Sequence, residues 1–347
     1  MSVVVLGTGR RYSSLDAYSE EFSTASGFPR IMLRMSKDQI NSSWDRHTTV
    51  VDGNLSLPFS DGWGWNILMG NHVFRGLKEK LKKSIVHYTT FGLPLLTNNP
   101  DDIVTVHDLF FLDPRDEAFG GFFNLSEHFL KRFLRFNKVI APSEYIKGEL
   151  ESYGFQGEIT VIYMPAPIEI QYLNNKEEAR KMMGLPNDKK LVLSISSSLR
   201  RKNLPVVEKT MKILGDEYKL VRVGPPISNA LNYRGLAPEK INMIYNACDV
   251  LLFPTLGEGY GKPVVESFAS GLPVVTSDIQ IMREIADDAA ILVEPVPEEC
   301  AEAIRISIDS EDEYRKRGFE KSKTYSREKF ISVVNKYYTA VSQAAGI

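Results

Sequence analysis

Cysteine is nearly absent: Cys248 and Cys300 are the only two, and they make no metal or redox motif. That excludes a disulfide framework and a zinc module and suits a reducing compartment. Charge of one sign is lacking as well. The 42 Lys and Arg side chains nearly balance 44 Asp and Glu, for a net charge of -2, so the basic excess of a nucleic-acid partner is missing. No run approaches the ~20 apolar residues of a membrane-spanning helix. The N-terminus has no basic region followed by a long apolar one, so no signal peptide is expected. These absences point to a soluble, cytoplasmic chain with no nucleic-acid partner and at most a peripheral contact with a membrane surface. Asp-x-Asp is missing too; Asp101-Asp102 and Asp287-Asp288 are adjacent pairs of the wrong spacing, so no metal is expected.

What is present is an ordinary globular composition, 43% hydrophobic and 25% charged. At roughly 150 residues per domain, the length favours two domains over one. Short β-branched runs alternate with helical stretches. Val3 to Leu6 reads as a first strand, then a turn at Gly7-Thr8-Gly9 and a helix over 13–22. Ile103 to Leu109 reads as a strand carrying His107. Pro165-Ala166-Pro167 denies both helix and central strand and marks a linker, with the domain boundary near residue 168. The second half begins afresh with a helix from Lys176 to Met183 and a strand from Leu191 to Ser196. Helices fill 298–345. Such alternation indicates two parallel-sheet, Rossmann-like α/β domains.

The most informative stretch is 250–271. Val250 to Phe253 is a short apolar strand, Gly257, Gly259 and Gly261 form a loop, and Pro263 opens a helix that Gly271 stops. The entry residues Gly261 and Lys262 include no Ser, Thr, Asp or Asn to occupy the first-turn N–H groups. A helix tip left open behind a glycine loop suits a phosphate. Glu258 and Glu266 flank it as acceptors for hydroxyl groups, although Glu266 can equally serve only to complement the helix dipole. A second feature is the cationic turn Arg200-Arg201-Lys202 after the strand ending at Ser196. Three cations at a strand end suit a pyrophosphate; a solvated basic turn has the same sequence.

Other stretches leave alternatives open. Gly7-Thr8-Gly9 lacks the third glycine of a dinucleotide fingerprint. Trp63 and Trp65 can stack on a sugar or simply pack. The basic helix candidate 76–83 and the aromatic–cationic stretch 128–138 can lie on an anionic membrane or bury one stripe and hydrate the other. As a lone histidine, His107 reads as a satisfied structural residue.

The run PTLGEGYGKPVVESFASGLPVVTSD resembles the signature of the family-4 retaining glycosyltransferases, which use nucleotide-sugar donors on the GT-B fold. The family's two glutamates seven residues apart stand here as Glu258 and Glu266, and the small-residue helix ends at Gly271 before Pro273, Val274 and Val275. The likeness covers nearly the whole chain, most closely from about 191 to 295, and Val139 to Glu144 resembles the family's last N-terminal strand and turn, in which Ser143 would cap a helix over 144–153. It implies a GT-B architecture of an acceptor-binding domain, 1–168 plus a C-terminal helix over 327–347, and a donor-binding domain, 169–326, facing a cleft.

The resemblance further implies a role for particular residues. His107, in VTVHDLFFLDP, would face the donor sugar with Asp108 orienting it or its loop. Arg201 and Lys202 would hold the diphosphate, with the N–H groups of Gly259, Tyr260 and Gly261 and the Lys262 helix start. Glu258 would accept from sugar hydroxyls and Glu266 from the ribose. Gly9, with Arg10 and Arg11, would approach the donor phosphates or the acceptor, and Asn232 to Leu236 would read the base. The implied reaction is metal-independent hexosyl transfer with retention, to a glycan, lipid or other hydroxyl acceptor. The combination looks most like polysaccharide mannosyltransferases, favouring GDP-mannose over UDP-glucose. Ser196 stands where the family usually has glycine, and Pro165-Ala166-Pro167 where it has Asn-Gly. A GT-B-type nucleotide-sugar epimerase, or a catalytically silent nucleotide-sugar-binding subunit, are the alternative readings.

Overall fold

The computed structural model describes residues 2–8, 14–34, 48–52, 81, 84–89, 99–112 and 130–346. Gly9, Arg10, Arg11, Trp63, Trp65 and, apart from Leu81, the basic segment 76–83 lie outside the described residues.

The chain divides into two compact units. The first takes the described residues up to Leu112, those from Leu130 to Tyr163, and those from Glu328 onward; the second is Met164–Arg327. The division thus falls a few residues ahead of 168, just before Met164. The Met164 carbonyl accepts from the Tyr260 hydroxyl at 2.6 Å, which ties it to the second unit.

The first unit holds a parallel sheet of β1 (Ser2–Thr8), β2 (Arg30–Arg34), β3 (Thr48–Asp52), β4 (Ser84–Tyr88), β5 (Ile103–Thr105), β6 (Lys138–Ala141) and β7 (Glu158–Val161). Their order is β3-β2-β1-β4-β5-β6-β7. Val3 and Val5 on β1, Ile103 and Val104 on β5, and Val139 and Ile140 on β6 are fully buried, as parallel strands covered on both faces require. Ser143 caps the helix Glu144–Ser152 by accepting from Ile146 N at 3.2 Å. The helix Arg327–Ala344 carries buried Phe330, Val334, Tyr338 and Val341. Tyr338 meets His87 of β4 at 2.5 Å, and Phe330 meets Phe22 of the helix Ser14–Ser26 edge-on at 5.2 Å.

The second unit holds β8 (Lys190–Ile195), β9 (Tyr218–Val223), β10 (Ala230–Tyr233), β11 (Val250–Phe253), β12 (Val274–Ser277) and β13 (Ile291–Val293), ordered β10-β9-β8-β11-β12-β13 and all parallel. Val192, Val250, Leu252 and Val275 form its core with Val207 of the helix Leu204–Leu214 and Cys300 and Ile304 of the helix Pro297–Asp309. Both cysteines are buried free thiols. In each sheet the strand order reverses once, between β1 and β4 and between β8 and β11. Ligands of such sheets bind beyond the strand ends at these switch points.

Two local expectations change. The strand expected over 103–109 stops at Thr105, because Asp108 Oδ1 accepts from Phe110 N at 3.3 Å and starts the turn Phe110–Leu112. In the stretch 128–138, whose first two residues lie outside the described ones, the helix stops at Phe133. There Phe133 and Phe136 are buried while Lys131 and Arg135 are exposed, the pattern of a stripe packed into its own unit. Among the described residues, no helix is long and apolar enough to cross a membrane.

Candidate functional site

The strand–loop–helix expected over 250–271 is formed by β11, the loop 254–261 and the helix Lys262–Ser270. Gly261 is the N-cap, with a left-handed φ of 96°. An L-residue adopts that conformation only under strain, and a Cβ there would lie 2.7 Å from Met282 Cε. No side chain caps the helix, and Pro263 lies in its first turn. Gly271 closes it, again left-handed, with its N–H turned back onto the Ser267 and Phe268 carbonyls.

This loop leaves β11, and the turn Arg200–Lys202 follows β8, so both lie at the second unit's switch point. They are laced together. The Arg201 carbonyl accepts from Leu256 N at 2.7 Å and from the Thr255 hydroxyl at 3.1 Å. The Arg201 guanidinium donates to the Gly257 carbonyl at 3.1 Å and to Glu258 Oε2 at 3.3 Å. Lys202 Nζ donates to Glu258 Oε1, which lies 3.0 Å from the Thr255 hydroxyl, and its ammonium stands 5.6 Å from the Phe253 ring centroid. Glu258, expected to serve sugar hydroxyls apart from the cations, is therefore ion-paired with both of them. Two cations are thus gathered on one buried carboxylate at the ends of β8 and β11, the kind of donor set a diphosphate uses.

Glu266 lies in the helix's second turn. It accepts from the Tyr245 hydroxyl at 2.7 Å, and Lys262 Nζ lies 3.8 Å from its other oxygen. Burial, and after it the Glu266 carboxylate, pushes Tyr245 well above the usual tyrosine range, so the phenol stays a donor. Tyr260 points its ring inward, with its hydroxyl on the Met164 carbonyl and the ring edge-on to Tyr325 at 6.1 Å. Its side chain serves the fold. Asn232 closes the loop before β10 by bonding to both N–H and C=O of Ile227, at 2.9 Å each.

In the first unit, His107 is half-buried beyond β5. Its Nε2 lies 2.8 Å from the carbonyl of Thr89, the residue after β4 at that unit's switch point. A carbonyl accepts, so Nε2 carries a proton in this bond. Tyr18 packs edge-on against it at 4.4 Å. The Tyr18 hydroxyl meets Thr105 Oγ1 at 3.3 Å, and Thr105 meets His87 Nε2 at 2.8 Å. Burial, then the charge of His107, lowers His87 to about 3.

Thr255, Tyr245 and Tyr18 were not legible as site residues. Their partners lie at sequence separations of 54, 21 and 87, and only the hydroxyl at a strand end ahead of a glycine loop marks Thr255. Among the described residues, no three His, Cys, Asp or Glu side chains are grouped to hold a metal.

Residues 175–324 match the model of glycosyl transferases group 1, and residues 37–169 match that of glycosyltransferase family 4. The O-antigen chain mannosyltransferase RfbU of Salmonella typhimurium is 22% identical over 229 residues, 61% of this chain and 61% of that one. The alpha-monoglucosyldiacylglycerol synthase of Streptococcus pneumoniae is 27% identical over 175 residues, 43% and 39% of the two chains. These alignments span less than two thirds of either relative. The solved sucrose-phosphate synthase of Thermosynechococcus elongatus has the same fold, with a TM-score of 0.84, 16% identity and 99% of each chain covered. The two family matches together take in most of the sequence, and the chain belongs to the glycosyltransferases of the GT-B fold, a family-4 domain followed by a group-1 domain.

Proposed function

We propose that the chain transfers a hexose from a nucleoside-diphosphate sugar to a hydroxyl of a glycan or lipid acceptor, with retention of configuration and without a metal. The observation that carries this is the Arg201–Lys202–Glu258 cluster beside the helix tip at Gly261, at the sheet's switch point. Breaking the bond from the anomeric carbon to phosphate puts negative charge on the departing diphosphate. Cations and N–H dipoles fixed in advance stabilise that charge without reorganising. Arg201, Lys202 and the Gly259–Gly261 N–H groups supply them, Glu266 holds the ribose, and Glu258 orients the cations while accepting from the sugar. His107 faces the transferred hexose. In a same-face transfer the departing phosphate oxygen takes the acceptor's proton, so no protein base is required.

For the donor, GDP-mannose stands ahead of UDP-glucose, in keeping with the mannosyltransferase relative. UDP-glucose is the second reading, favoured by the glucosyl-lipid relative.

The test is to incubate the chain with GDP-mannose or UDP-glucose and an oligosaccharide or diacylglycerol acceptor, with and without EDTA. Product configuration is read by NMR coupling constants. Transfer with retention, undiminished by EDTA, is expected. Inverted product, C2- or C4-epimerised donor without transfer, or activity lost to EDTA and restored by Mg²⁺ or Mn²⁺ would each overturn the corresponding part.

A further inference from the structure

Arg222 on β9 is fully buried, at 0% exposure. Its guanidinium donates to Ser194 O and Oγ at 3.2 Å each, Ser196 Oγ at 3.0 Å, Ser196 O at 2.6 Å, Ser197 O at 3.4 Å and Pro225 O at 3.1 Å. Every acceptor is a neutral oxygen, and no carboxylate among the described residues pairs with it. Buried cations are ordinarily paired. Burial lowers this one only to about 10, so it stays charged at neutral pH. The chain makes room for it with Gly224, at a φ of 132°, where a Cβ would stand 2.2 Å from the Ser196 carbonyl.

The guanidinium also sets the direction of the backbone above it. A trans peptide holds its C=O and the following N–H on opposite sides. With the Ser196 and Ser197 carbonyls drawn toward Arg222, the N–H groups of Ser197 and Ser198 turn away from it. Both serines are exposed, and neither N–H has a protein acceptor among the described residues. They lie between β8 and the turn Arg200–Lys202, on the switch-point side. Successive amides aimed outward above a fixed positive charge form an anion-binding concavity.

We propose that the Ser197 and Ser198 N–H groups form an anion subsite that takes a phosphate of the donor diphosphate, with Arg222 as its positioning residue. This rests on the nucleotide-sugar reading above. Arg222 does not touch the ligand; it aims the two amides and provides the buried countercharge.

The test titrates the full chain with GDP and UDP and, alongside, guanosine and uridine. Arg222→Gln is expected to weaken diphosphate binding about tenfold, equivalent to about 1.4 kcal/mol, with nucleoside binding unchanged. Arg222→Lys, which keeps the charge and loses the fork, should fall between. Equal diphosphate affinity in wild type and a folded Arg222→Gln overturns the proposal. Should that variant not fold, hydrogen exchange on the unsubstituted chain decides. Exchange at Ser197 and Ser198 should slow with the diphosphate and not with the nucleoside, and amides that exchange alike in both overturn the subsite. A wild-type chain that binds neither diphosphate overturns the nucleotide-sugar reading itself, and the subsite with it.

Discussion

The Tyr245 hydroxyl donates to Glu266 Oε2 at 2.7 Å, from the helix Pro238–Ala247 to the helix Lys262–Ser270. The phenol is buried and stays protonated, so it fixes which way the carboxylate faces. Removing that one donor while keeping the ring isolates orientation from packing. Tyr245→Phe should raise KM for the donor about five- to tenfold with kcat little changed, as loss of a hydrogen bond to a charged group implies. Glu266→Ala should weaken donor binding further. Steady-state kinetics on both variants check this, and unchanged donor affinity in Glu266→Ala would remove its ribose role.

Thr255 joins the loop 254–261 to the turn Arg200–Lys202. Its hydroxyl, with one proton to give, lies within bonding distance of Arg201 O, Gly257 O and Glu258 Oε1, and it accepts from Gly257 N at 3.3 Å. Thr255→Val keeps the shape and removes the hydroxyl; Arg201 O, Gly257 O and Glu258 keep Leu256 N, Arg201 and Lys202 as donors, so the cost is the Gly257 N–H left without its acceptor, about 1 kcal/mol. A fall of that size in urea-unfolding stability, with weaker diphosphate binding, is expected. A variant equal to wild type in both would deny Thr255 this role.

Gly261→Ala tests the loop's backbone. The Met282 methyl that a Cβ would meet is the end of a flexible chain and can swing aside. The left-handed φ cannot be relieved and costs about 1–2 kcal/mol. Adding Met282→Ala should therefore fail to restore the stability lost to Gly261→Ala, and full recovery would assign the cost to the clash instead.

Much of this was legible because it is local. The apolar run at Val250, the glycines and Pro263 fix strand, loop and helix within a few residues of one another. So do Ser143 as an N-cap and the helix Lys176–Met183. What was hidden depends on tertiary contact. Arg222 in the run Leu220-Val221-Arg222-Val223 gives no sign that it will be buried, since all its acceptors but Pro225 O lie 25 to 28 residues away, on β8 and the stretch after it. Ser196, a departure from the glycine of the resembling family, makes sense once Arg222 is seen beneath it. The pairing of Glu258 with Arg201 and Lys202 was equally unreadable, because the sequence nominates each only as a ligand.

His87 gives the stability a pH dependence. Its folded pKa of about 3 lies below the ordinary 6.5, so the unfolded chain takes up the proton first. The contribution is fully present above about pH 6.5 and is lost as pH falls toward 3, by up to about 1.4 kcal/mol per unit. Tyr338, Thr105, His107 and the Phe22 ring face the imidazole. Urea unfolding at pH 7 and pH 5 should show the loss in wild type and a smaller one in His87→Gln. Equal slopes would assign the dependence elsewhere.

His107 is separable from the binding machinery, since it belongs to the other unit. His107→Ala should slow transfer by roughly 10–100-fold while nucleoside-diphosphate affinity stays within about twofold. Normal turnover would take it out of the site.

The most direct measurement is isothermal titration of GDP and UDP into wild type and into Arg201→Met/Lys202→Met. Saturable binding of one diphosphate to wild type, weakened about a hundredfold or more (about 2.7 kcal/mol) in the double variant, is the expected result. No binding to wild type, or equal binding to both proteins, would contradict a diphosphate held by the Arg201–Lys202–Glu258 cluster.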